Sequence, residues 1–199
     1  MELSPLAKEK LAKIGELSPG EKERLKISEK LTQLLADYFT KRIDVNSLWL
    51  ELKKCKEQGH ESIIRETQIR LLNAITLTSN QADFEHCRNA LLGCETLKEH
   101  SRYSDLEHGL KMLESLRLQY QQEKERAFNN IKQSIQQQVA MAARQVLRQS
   151  SNRNISIDIK GSVEATARTN PQWRSFLLEH DRIYGQKFDE LVARVKRLL

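Results

Sequence analysis

One apolar stripe runs from about Leu106 to Leu147 without a proline, and it limits what the rest of the chain can do. With successive residues about 100° apart, Leu106, Leu110, Leu113, Tyr120, Ile131, Ile135, Val139, Ala142 and Val146 share one face. An amphipathic helix of that length spans about 60 Å, more than a compact domain of this size covers. Part of it must therefore project or pair with another helix. Two stripe positions, Arg117 and Lys124, are charged, and with the polar run Gln121 to Arg126 they predict looser packing or a bend.

Composition supports a mostly helical chain. Hydrophobic residues make up 39% of the 199 and charged residues 30%, with 7 Gly and 3 Pro; mean hydropathy is −0.62. Long helices with one buried face have this balance. The net charge of +6 is uneven: residues 117 to 199 hold 15 Lys and Arg against 8 Asp and Glu, and no acidic residue lies between Arg126 and Ile157. The start of the chain lacks the apolar run of a signal peptide, and no stretch has the roughly 20 apolar residues of a membrane span. Cys55, Cys87 and Cys94 are too few and too odd in number for a disulfide framework. The expectation is a reduced, cytoplasmic protein.

In chain order, Leu3-Ser4-Pro5 and Leu17-Ser18-Pro19 both have the form of a serine N-cap followed by proline, and each predicts a helix start. Apolar positions from Leu25 to Phe39 mark the second helix. Asp44 or Asn46 caps a third, with Gly59 as its stop. The segment Ile63 to Ile75 is apolar on more than one side, which places it at the centre of an N-terminal bundle. Asn80 caps the next helix, and Asn170-Pro171 starts the last one, whose Trp173, Leu177, His180, Tyr184, Phe188, Leu191, Val195 and Leu198 pack back on the long helix.

Between these two helices the period changes. Ile155, Ile157 and Ile159 alternate with polar residues, as do Val163, Ala165 and Ala167 beyond Gly161. This reads as a β-hairpin over about 154–168 with a Lys160 to Ser162 loop, the register that keeps one face apolar. The expected fold is all-α apart from this hairpin: an N-terminal antiparallel bundle (1–100), then long helix, hairpin and C-terminal helix (101–199).

No catalytic motif is present. His86, Cys87, Cys94, His100 and His108 lack the close pairing of a zinc site, and the isolated glycines form no phosphate loop. No cofactor or metal is expected, and His180 reads as a buried or partner-facing histidine. Function is therefore sought on surfaces. The first expectation is a non-enzymatic helical interaction or assembly protein that pairs with itself or another protein through Ile131, Ile135, Val139, Ile155, Ile157 and Ile159. The second is a nucleic-acid-associated protein using Arg126, Arg144, Arg148 and Arg153, although the first three, on the long helix, are sparse over several turns and no aromatic platform is evident beside them.

Overall fold

The computed structural model describes residues 19–149 and 159–199, with side chains at all of these except 19, 143, 145–149 and 159–162. Regular structure among them is helical throughout: α1 (Pro19–Phe39), α2 (Val45–Glu57), α3 (Ser62–Ala74), α4 (Gln81–Glu95), α5 (Tyr103–Gln149), α6 (Ile159–Thr169) and α7 (Pro171–Lys196). The helix start expected at Ser4-Pro5 and the cap at Ser18 lie outside the described residues. No helix among the described residues is long and apolar enough to cross a membrane.

Two compact units emerge. The first takes the described residues up to Ala74, together with Glu85–Tyr103 and Leu199; the second takes Ile75–Phe84 and Ser104–Leu198.

In the first unit α3 packs on both α1 and α2, and buries Ile63, Ile64, Thr67, Gln68, Leu71 and Leu72. That double contact explains its two apolar sides. Asp44 caps α2 by accepting from the Ser47 amide at 2.8 Å, and Gly59 (φ 87°) takes the left-handed turn after it. A reciprocal pair ties α1 to α4: the Tyr38 hydroxyl donates to the His86 carbonyl at 2.8 Å, and His86 Nε2 donates to the Tyr38 carbonyl at 3.1 Å. The buried Glu95 carboxylate accepts from Gln68 Nε2 at 2.8 Å and from the Arg102 amide at 2.8 Å, and pairs with Lys98 Nζ at 2.8 Å.

The second unit is built on the 47-residue α5. Its stripe buries Leu106, Leu110, Leu113 and Tyr120, with Tyr184, Phe188 and Val195 of α7 in the same core. Asn170 caps α7 by accepting from the Gln172 amide at 2.8 Å, with proline in the first turn. The slack expected around Arg117 is absent. Its side chain is 2% exposed, donates to the carbonyls of Thr76, Ser79 and Asn80, and lies 4.6 Å over the Phe84 ring. A charge inside an apolar stripe here anchors the loop between α3 and α4.

The expected β-hairpin is not formed: there is no strand among the described residues, and 159–169 is the helix α6. Val163 and Ala167, read as alternating strand positions, are also four apart and so fall on one helical face. Both are buried against Ile135, with Phe128 and Ile131 beside them, while Ala165 between them is exposed. A helix satisfies its own backbone, whereas a lone two-stranded ribbon is marginal; the alanines add helix propensity. Ile155 and Ile157 lie outside the described residues, and Ile159 opens α6 with an undescribed side chain.

Candidate functional site

The apolar positions expected at an interface have separate fates. Ile135 is 7% exposed and Ile131 partly buried, both beneath α6. Val139, one turn further, is 36% exposed, and Ala142 on the same face is exposed too. From Gln136 onward every described side chain of α5 is exposed. This arm therefore extends the stripe past the point where α6 covers it. Between Lys132 and Arg144 the arm carries no charged residue.

Of the four arginines, the structure describes the side chains of two. Arg126 and Arg144 are both exposed, but eighteen positions on one helix separate them by about 27 Å. The side chain of Arg148 and the whole of Arg153 fall outside the described residues.

The three cysteines are buried and form no disulfide. Burial pushes the Cys94 thiol up to about 12, which makes it a poor nucleophile near neutrality. No group of three His, Cys, Asp or Glu among the described residues is placed to hold a metal.

His180 sits inside a cluster of rings, 4.9 Å from Tyr120, 4.8 Å from Phe176 and 4.5 Å from Tyr184, centroid to centroid. Its Nε2 is 3.5 Å from Glu123 Oε2, at the limit of hydrogen-bonding distance, and neither ring nitrogen has a well-formed hydrogen bond among the described residues. Hydrogen bonds from Gln119 and Tyr184, with a smaller share from His180, hold the Glu123 carboxyl below its usual range. Burial, reinforced by the bond to Glu123, pushes Tyr184 up to about 12. These groups lock α7 onto α5, with no nucleophile among them.

The ring cluster continues to a surface cleft that sequence reasoning missed. Trp173 of α7 lies 4.9 Å from Phe128 of α5. Together with Tyr120, Lys124, Arg168 and Thr78 they line an open cavity of about 390 Å³. Lys124 Nζ lies at the hydroxyl edge of Tyr120, 5.1 Å from the ring centroid, and donates to its hydroxyl at 2.9 Å; that hydroxyl in turn donates to Asp181 at 2.8 Å. Arg168 is 5.9 Å over Phe128. The only sequence signal was Lys124 itself, a cation standing in an apolar stripe. Trp173 and Arg168 reach it through the fold.

A family model matches residues 49–197, most of the chain. The chain belongs to the family of unknown function DUF6657. The matched span begins within α2 and takes in all of α5, α6 and α7, so both the arm and the cleft lie inside it. No curated protein and no solved structure matches the chain.

Proposed function

We propose that this protein is a non-enzymatic helical assembly protein that pairs with a second copy of itself through the end of α5. The exposed arm beyond Ile135 supports this reading. It presents the stripe positions Val139 and Ala142 to solvent on a helix that no described element covers from Gln136 onward. The uncharged run between Lys132 and Arg144 lets two copies meet without like-charge repulsion, and its glutamines supply neutral hydrogen-bonding flanks. Coiled pairing of two such arms buries the stripe that one chain leaves open. The nucleic-acid reading has less support, because Arg126 and Arg144 stand about 27 Å apart along the helix.

Molar mass by light scattering on a sizing column, at low and high salt, tests the proposal. The expected result is a dimer in both, since an apolar seam is insensitive to screening. Val139→Glu with Ala142→Glu is expected to give a folded monomer, both positions being exposed in the single chain and on one face of the helix. A wild-type monomer at high protein concentration would overturn the proposal.

A further inference from the structure

We infer that the cleft between α5, α6 and α7 is a binding site for a small aromatic acid, a flat ring carrying one negative charge. Three observations define the ligand. The walls are rings: Tyr120, Phe128 and Trp173 line a cavity of about 390 Å³, within the size range of small-molecule sites. Two cations border those rings, Lys124 at the hydroxyl edge of Tyr120, 2.9 Å from its oxygen, and Arg168 5.9 Å over Phe128, which disfavours a cationic guest and invites an anionic one. Glu125 also lines the cleft, Glu164 pairs with Arg168 and Asp181 accepts from the Tyr120 hydroxyl, so the cleft holds no excess of positive charge and disfavours a dianion.

The cations are free to engage. Lys124 forms no ion pair among the described residues; its recorded bond is to the neutral Tyr120 hydroxyl. Arg168 pairs with Glu164 at 2.8 Å, but both side chains are exposed at 69% and 44%. Such a surface pair is weak and readily exchanged for a ligand carboxylate. The carboxylate would lie between Lys124 and Arg168, and the ring against Phe128 and Trp173. Thr78 adds a hydroxyl at the rim.

The test uses the full chain with 2-naphthoate as the probe and 2-naphthamide, its neutral isostere, as the control. The protein has two tryptophans, Trp49 and Trp173, so Trp49→Phe leaves Trp173 as the only indole fluorophore. Calorimetry and Trp173 fluorescence are expected to show saturable naphthoate binding, with naphthamide at least about tenfold weaker. Lys124→Gln and Arg168→Gln, each at a partly or fully exposed position, are expected to weaken naphthoate about tenfold and leave naphthamide unchanged. Equal binding of acid and amide would overturn the inference. So would naphthoate binding that leaves Trp173 fluorescence unaltered, or no binding at millimolar probe.

Discussion

At the residue scale, two buried charges carry the most testable consequences. Arg117 serves three backbone carbonyls with one guanidinium fork, which neither a lysine nor an apolar residue reproduces. Arg117→Met is expected to lower stability by about 2–3 kcal/mol, since charge-assisted bonds are lost and acceptors left unserved; urea unfolding measures it. Glu95 shows the opposite sign of charge held in the same way. Burial pushes its carboxyl up, but bonds from Lys98, Gln68 and the Arg102 amide outweigh it and hold the group below the ordinary glutamate range. A depressed folded value means that the ionised carboxylate stabilises the fold above the unfolded value, near 4.3. That stabilisation is lost as pH falls through the folded value. Glu95→Gln is therefore expected to cost about 1–3 kcal/mol at neutral pH and to flatten the acid limb of a stability-against-pH curve below about pH 4.3. An unchanged acid limb would show that Glu95 is not the group responsible.

At the scale of elements, the packing of α7 on α5 is decided at Gly109. A Cβ there would stand 2.9 Å from Val195 Cγ2, whereas one at Gly185 in α7 meets nothing within 4 Å. Alanine raises helix propensity at both sites by up to about 1 kcal/mol, but a β-branched neighbour is stiff and cannot yield cheaply. Gly185→Ala is expected to raise the thermal midpoint, and Gly109→Ala to lower it through overpacking of about 1–3 kcal/mol; the two shifts should have opposite signs in the same melt. The long helix, the α7 stripe and the caps at Asp44, Asn80 and Asn170 were legible in the sequence, because periodicity and capping are local. Asn80 illustrates this by accepting from the Asp83 amide at 2.8 Å. The helix α6 was misread because Val163 and Ala167 satisfy a period of two and a spacing of four alike, and only Ile135, far away in sequence, selects between them. The cleft was invisible for the same reason: Phe128 and Trp173 meet across forty-five positions with no motif to announce the meeting.

At the scale of the whole molecule, the compact units do not follow chain order. The segment Ile75–Phe84 belongs with the unit of α5 and α7, although residues of the other unit flank it on both sides. Arg117 explains why: the carbonyls of Thr76, Ser79 and Asn80 and the Phe84 ring are its partners. Dividing the chain near residue 100 leaves Arg117 in one piece, with Glu114, and its hydrogen-bond acceptors in the other. A fragment of residues 75–199 keeps the anchor whole, whereas 101–199 strands a guanidinium in an apolar stripe. Removing the partners of a buried charge costs about 3–5 kcal/mol. The longer fragment is therefore expected to unfold cooperatively in urea, and the shorter one to be less stable by at least about 3 kcal/mol. Adding Arg117→Met to both should shrink that gap, since the stranded charge is then gone from the shorter piece and the anchor from the longer. Equal stability of the two fragments with Arg117 intact would mean that the segment 75–84 rides on its unit without holding it.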